Sequence, residues 1–301
     1  MYKSILITLL LPFFVFAQKS SLNKKIDSIT DGKNATVAVS VTGIDFSFEY
    51  NNKNAEKKLP MLSVFKFHIA CAVLDLVEQK KLNLEQKILV KKSDLLENTW
   101  SPIREKYPDG NIEMTLDELL QFTVAQSDNN GCDILLRLIG GTETVQKFID
   151  GKRIRNFQIK YNEEMMHKGS EYLYYNYTTT KSLSQLLKKF FQYKILPKTS
   201  TDYLMKIMRE TSTGTNKLKE QLPKNSIAHK TGSSGKTGNL TIAENDAGIV
   251  TLPNGKHYAI SVFVNDSTES EIINCKMVSD ISKAIWDFMA TTEKGFYFHW
   301  K

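Results

Sequence analysis

Apolar residues change their spacing twice along the chain, and those changes divide it into three stretches. A short polar-apolar helical pattern around Asn23–Ile29 is followed by the Asp31-Gly32 turn. Two β-rich runs come next, Ala35–Val41 and Phe46–Tyr50, which predict a hairpin. From about residue 58 to 209 the spacing becomes helical: Leu62, Phe65, Ile69, Val73 and Leu76 recur at three- and four-residue steps from a start near Ser63. Thr115 and Glu118 form a capping box ahead of Leu119-Leu120, and Gly140-Gly141 ends a helix over Asp133–Ile139. Leu183–Phe191 and Tyr203–Met208 predict further helices. Strand spacing returns at Ser226–Lys230, Asn239–Ala243, Gly248–Leu252 and Tyr258–Val264, with a hairpin turn at Pro253-Asn254-Gly255. A final helix is expected over Glu271–Met289.

Strands at both ends with helices between them predict a single antiparallel sheet, flanked by helices, built from the N- and C-terminal segments. The expected division is an α/β lobe from residues 18–57 and 210–301, and an inserted all-α lobe from 58–209 with a cleft between them. The first 17 residues stand apart. Lys3 precedes an almost wholly apolar run from Ile5 to Phe16, and Val15-Phe16-Ala17 presents small side chains at a cleavage site, the pattern of a secretory signal. Cleavage is expected after Ala17, with export to the periplasm. The run is shorter than the ~20 residues that span a bilayer, and Pro12 interrupts it.

Composition narrows the classes without choosing one. Hydrophobic residues make up 41% of the 301 and charged residues 24%, which excludes a disordered, collagen-like or polytopic membrane chain. The net charge of +7 has no basic block behind it, and an exported chain rarely meets nucleic acid. The positive balance therefore suits solvated faces or small anionic molecules better. Cys71, Cys132 and Cys275 lie far apart, and the five histidines are scattered, so neither a disulfide framework nor a zinc site is expected.

Three short motifs carry candidate chemistry. Ser63-Val64-Phe65-Lys66 is an S-x-x-K whose i, i+3 spacing lets the lysine reach the serine hydroxyl, at a helix start whose dipole favours developing negative charge. Two further S-x-x-K spacings, Ser21…Lys24 and Ser233…Lys236, lack the apolar helix behind them. Ser127-Asp128-Asn129 lies in a short connection between helical patterns. Lys230-Thr231-Gly232 ends a strand-like run. Its repeat, Lys236-Thr237-Gly238, follows a turn-rich Ser233-Ser234-Gly235 and reads as hairpin connection.

The ordered triple resembles the class A serine β-lactamases. Thr99-Trp100-Ser101-Pro102-Ile103, Tyr107-Pro108-Asp109-Gly110, His229-Lys230-Thr231-Gly232 and Asn245-Asp246-Ala247-Gly248-Ile249 are similar to their extended-spectrum PER-type branch. The resemblance implies the serine β-lactamase and penicillin-binding transpeptidase-like fold, a monomer, no cofactor, and a small β-lactam substrate. It implies Ser63 as nucleophile, Lys66 as its proton acceptor or relay, and Ser127 as proton donor to the leaving nitrogen. Asn129 would bind the substrate amide, and Lys230 and Thr231 its carboxylate. The N–H groups of Ser63 and Ser233 would hold the oxyanion.

Glu163, in Asn162-Glu163-Glu164-Met165-Met166-His167, matches the deacylating base, with Glu164 its neighbouring rival. His167 stands where most of the family has Asn. Tyr161 and Asn176 replace the usual Arg and Asp, so the ion pair that clamps the loop is missing, and a roomier loop admitting oxyimino-cephalosporins is expected. Lys217 occupies the place of a carboxylate-binding Arg, and Trp100 is expected either to stack on substrate or to pack locally as an exposed loop side chain. A penicillin-binding D,D-peptidase or a non-hydrolytic β-lactam sensor shares the triple. Glu163 separates the hydrolase from the peptidase, and a sensor is expected to carry a transmembrane helix or a partner domain as well.

Overall fold

The computed structural model describes residues 20–296; the expected signal, residues 1–17, lies outside them. Helix α1 (20–30) leads into β1 (Thr36–Gly43), which turns back into β2 (Glu49–Asn51). Near the other end come β8 (Ile227–Ser233), β9 (Lys236–Thr237), β10 (Leu240–Thr251) and β11 (His257–Ser267), and α10 (Glu271–Phe296) closes the chain. The sheet runs β2-β1-β11-β10-β8, with β9 paired to β10. All its ladders are antiparallel.

Period-two alternation gives this sheet two different faces. Val37, Val39 and Val41 of β1 and Tyr258, Ile260, Val262 and Val264 of β11 point outward. They pack with Leu22 and Ile26 of α1 and with Met277, Val278, Ile281 and Ile285 of α10. The inner face carries Ala38, Ser40, Ala259 and Ser261, with Phe263 the large residue among them, and α8 (Thr180–Phe191) lies close against it. Ser184 Oγ sits 2.9 Å from Ser261 Oγ and donates to the Ser40 carbonyl at 3.1 Å. Ser40 Oγ lies 3.0 Å from Thr180 Oγ1. These hydroxyls satisfy one another where water is excluded.

The inserted segment is built around α2 (Phe65–Glu78), whose residues from Phe65 to Leu74 are all buried. A helix apolar on every side belongs inside its lobe. Around it pack α4 (Leu116–Ala125), α5 (Asn129–Ile139), α6 (Thr142–Gly151) and α9 (Lys198–Arg209), and the insertion also holds the short helices α3 (Pro102–Lys106) and α7 (Glu163–Met166). The capping box at Thr115 and Glu118 forms as expected. Gly140 ends α5 in the left-handed region at φ +89°, and the Gly141 N–H returns to the Leu136 carbonyl at 2.7 Å.

Two expectations need correcting. The inserted lobe is not wholly helical, since β4 (Lys87–Val90) pairs with β5 (Ile112–Thr115), and β3 (Leu59–Pro60), β7 (Tyr177–Thr178) and β6 (Phe157–Gln158) form a small sheet. These short ladders join segments separated in the sequence, a pairing that local spacing does not report. The runs Asn239–Ala243 and Gly248–Leu252 are one continuous strand, β10. Its polar middle, Glu244-Asn245-Asp246, looked like a break yet is fully buried. Each of those side chains has a polar partner, so the strand can continue through them.

Candidate active site

The turn bearing the candidate nucleophile is held in place by its buried surroundings. Ser63 lies in a single 3-10 turn, Leu62–Val64, at the head of α2. Leu62 stands at φ +47°, the left-handed region that costs an ordinary side chain roughly 1–2 kcal/mol. The surroundings pay for that conformation with buried hydrogen bonds: Asn245 Nδ2 donates to the Pro60 carbonyl at 2.8 Å, and Met61 N–H to the Asn176 carbonyl at 2.9 Å. Ser127 is likewise left-handed, at φ +60°, in the connection between α4 and α5. There Asp128 caps α5 through the Gly131 N–H at 2.8 Å and accepts from the Ile103 N–H at 2.7 Å.

Lys66 is the hub. It is fully buried, and its Nζ donates to Ser63 Oγ at 2.8 Å, to the Ser127 carbonyl at 2.9 Å and to Asn129 Oδ1. The same nitrogen lies 2.8 Å from Glu163 Oε1. Across the cleft, Lys230 Nζ donates to Ser127 Oγ at 2.9 Å and to the Thr231 carbonyl at 3.0 Å. Burial first, and then the charges of Lys66 and Lys217, hold Lys230 well below the ordinary lysine range; Asp246 and Glu163 oppose them. Thr231 Oγ1 lies 2.6 Å from Thr213 Oγ1. The triple read from the sequence is thus brought to one place.

β8 runs directly beside the nucleophile turn because residue 232 is glycine. A Cβ there would stand 2.4 Å from the Met61 carbonyl oxygen and 3.1 Å from the Ser63 nitrogen. That approach sets Ser233 alongside Ser63. Behind β8, the buried His229 Nδ1 lies 2.9 Å from both carboxylate oxygens of Asp246, and Thr211 Oγ1 donates to the His229 carbonyl at 2.7 Å. Lys217 pairs with Glu244, and both are buried.

The loop bearing the candidate base is fastened at two points. Asp133, on α5, accepts from the Glu163 N–H at 2.8 Å, the Glu164 N–H at 2.9 Å and Asn162 Nδ2 at 3.0 Å. Burial, reinforced by the Glu163 charge, raises the Asp133 carboxyl to about 6. Asn176, completely buried, grips the neck of the loop. Its Oδ1 accepts from the Lys160 N–H at 2.8 Å and the Tyr161 N–H at 2.9 Å, and its Nδ2 donates to the Tyr161 carbonyl at 2.7 Å. Asn176→Ala is expected to lower stability by about 2 kcal/mol through the buried backbone groups it strands, read as a reduced urea midpoint with unchanged slope.

Glu163 and Glu164 are told apart by placement: Glu163 is buried against Lys66, while Glu164 is exposed. His167 Nδ1 lies 2.8 Å from the Glu163 carbonyl, a local loop contact. Trp100 is 54% exposed; its Nε1 donates to the Gln126 carbonyl at 2.9 Å, and its own carbonyl accepts from the Asn129 N–H at 3.0 Å. It therefore stands at the rim beside Asn129. Asp133, Glu244 and Asn245 escaped the sequence reading as site residues. Their signal was a polar side chain inside an apolar run, and only the fold shows what each one faces.

This fold, with a serine, two lysines and a glutamate converging on one cleft, is that of a class A serine β-lactamase. The sequence matches the β-lactamase enzyme family over residues 21–289, and the chain belongs to that family. β-Lactamase VEB-1 of Pseudomonas aeruginosa is 45% identical over 298 residues, covering 95% of this chain and 97% of that protein. The extended-spectrum β-lactamase PER-1 of the same species is 40% identical over 277 residues, covering 92% of this chain and 90% of its own. The crystal structure of the TLA-3 extended-spectrum β-lactamase, 46% identical, superposes with a TM-score of 0.88 over 90% of this chain and 99% of that one.

Proposed function

We propose that this enzyme hydrolyses the β-lactam amide of penicillins and cephalosporins, oxyimino-cephalosporins included, through a Ser63 acyl-enzyme cleared by water that Glu163 activates. The observation that carries this reading is the position of Lys66 Nζ, 2.8 Å from Ser63 Oγ and 2.8 Å from Glu163 Oε1. A proton leaving the serine has a short path into that pair. Ser63 Oγ attacks the lactam carbonyl, and the N–H groups of Ser63 and Ser233 receive the oxyanion. The C–N bond breaks, the nitrogen takes a proton from Ser127 Oγ, which is replaced by the proton that Ser63 gave to the Lys66–Glu163 pair, and Lys230 supports that hydroxyl from 2.9 Å. Glu163 then takes a proton from water as its oxygen attacks the ester, and Ser63 recovers its proton as the open-ring acid leaves.

Asn129 is proposed to bind the substrate amide with Trp100 beside it, and Lys230 with Thr231 to bind the carboxylate. The cleft lies between the lobes formed by residues 18–57 with 210–301 and by 58–209. Among the described residues no helix is long and apolar enough to cross a membrane. The reading includes export to the periplasm after cleavage at Ala17, action as a monomer, and antibiotic resistance as the outcome. The extended-spectrum relatives, and a loop neck held by Asn176 rather than by an ion pair, support the oxyimino substrates. The buried Glu163 supports hydrolysis over a D,D-peptidase or sensor, which acylates and stalls. Nitrocefin turnover by the purified protein, abolished in Ser63→Ala, tests it; a wild type that traps penicillin for minutes overturns it.

The lowered proton affinity of Lys230 makes a pH prediction. Its positive charge is lost at lower pH than that of an ordinary lysine, so capture of the substrate carboxylate weakens as pH rises through that depressed value. Lys230→Arg retains the charge throughout, and the alkaline limb of kcat/KM is expected to move up by about one pH unit or more. An unmoved limb would assign it to another group.

A further inference from the structure

Resting on the reading of Lys230 and Thr231 as the substrate-carboxylate pocket, a hydrogen count around Lys217 says more about what that pocket selects. A lysine ammonium has three donors and a serine hydroxyl one. Lys217 Nζ faces Glu244 Oε1, Ser233 Oγ at 2.8 Å and the Asn245 carbonyl at 3.4 Å, so all three hydrogens have acceptors within the protein. The Ser233 hydroxyl gives its single hydrogen to Glu244 Oε1 at 2.6 Å. Ser233 and Glu244 are cross-strand partners on β8 and β10, so the ladder itself fixes this contact. Neither Lys217 nor the Ser233 side chain has a donor left for a ligand.

Lys217 is nevertheless close enough to the pocket to matter electrostatically. Its stem runs beside Gly214, where an added Cβ would meet Thr231 Cγ2 at 2.5 Å and Lys217 Cδ at 3.4 Å. Lys217 and Glu244 side chains are each 4% exposed, so their charges are weakly screened by water. The other close pair in the cleft, Lys66 with Glu163, also sums to zero. Lys230 has hydroxyl and carbonyl partners rather than a carboxylate.

We propose that Glu244 is a specificity-determining residue: by neutralising Lys217 and occupying the Ser233 hydroxyl, it leaves recognition of the substrate carboxylate to Lys230 and the threonines. It acts through Lys217 and does not touch substrate. A merely structural pair would affect charged and uncharged substrates alike, and that difference gives the test. One cephalosporin is offered with its carboxylate free and as the methyl ester, and the ratio of the two kcat/KM values is measured.

Glu244→Gln keeps the shape and an acceptor but bares the Lys217 charge, and the acid-to-ester ratio is expected to rise about tenfold. Lys217→Met bares Glu244 instead, and the ratio is expected to fall by about as much. The double variant Lys217→Met with Glu244→Gln removes a pair of zero net charge while keeping an acceptor for the Ser233 hydroxyl, and is expected to keep the wild-type ratio, which decides the matter even if a single variant fails to fold. A double variant that loses the acid preference would show that Lys217 binds the carboxylate directly and overturn the proposal. So would single variants that leave the ratio unmoved. No turnover of the free acid by wild-type enzyme would overturn the functional reading itself, a different failure.

Discussion

Glu163→Gln is expected to acylate and then stall. On mixing with a chromogenic cephalosporin it releases one equivalent of product in a burst. Steady turnover then falls about a thousandfold below wild type, within the range a general base contributes. The covalent adduct on Ser63 should be visible by intact mass. Glutamine keeps the side chain's shape and an oxygen facing Lys66, so the nucleophile end of the site is preserved while the proton acceptor for water is lost. Glu164→Gln is the matched control: its side chain is exposed, and its turnover should stay near wild type. If Glu163→Gln cleared its ester at the wild-type rate, the deacylating base would lie elsewhere.

Gly232→Ala should be nearly as damaging without touching a titratable group. The new Cβ would meet the Met61 carbonyl oxygen at 2.4 Å, with the nitrogens of Ser63 and Val64 each at 3.1 Å, and all three are backbone atoms that cannot swing aside. The turn has little freedom to yield, because Leu62 is already left-handed and Asn245 holds Pro60 from behind. The strand must move instead, carrying the Ser233 N–H away from its place beside Ser63. With that N–H in its proposed oxyanion role, its loss costs about 2.7–4 kcal/mol of transition-state stabilisation, so kcat/KM should fall by about 10²–10³. The melting temperature should fall with it. Retention of kcat/KM within about threefold would show that β8 can shift without disturbing the oxyanion site.

The contrast between those two residues shows what sequence reading can reach. The nucleophile, both lysines and Ser127 lie in short motifs whose chemistry depends on local spacing, and they were recognisable before any fold was known. Glu163 needed more, since a one-residue slip exchanges it with Glu164, and only burial against Lys66 separates them. Glu244 and Asn245 were hidden for a different reason. Three consecutive polar residues in a strand look like its end, and only the partners across the ladder reveal that the strand continues. The hairpins and the capping box were legible because each is closed by residues near one another in sequence. In the small sheet of β3, β7 and β6 the β3–β7 ladder joins segments more than a hundred residues apart, and nothing local announces it.

Asn176 has a consequence for the surroundings in which this enzyme can work. A loop clamped by a carboxylate and a guanidinium is held by Coulomb attraction, which dissolved ions screen over roughly 10 Å at 0.1 M. An amide that donates to the Tyr161 carbonyl and the Met166 sulfur and accepts twice inside a buried neck offers counterions no charge to screen. The hold of Asn176 on the neck of this loop should therefore be nearly independent of ionic strength, from dilute water to brine.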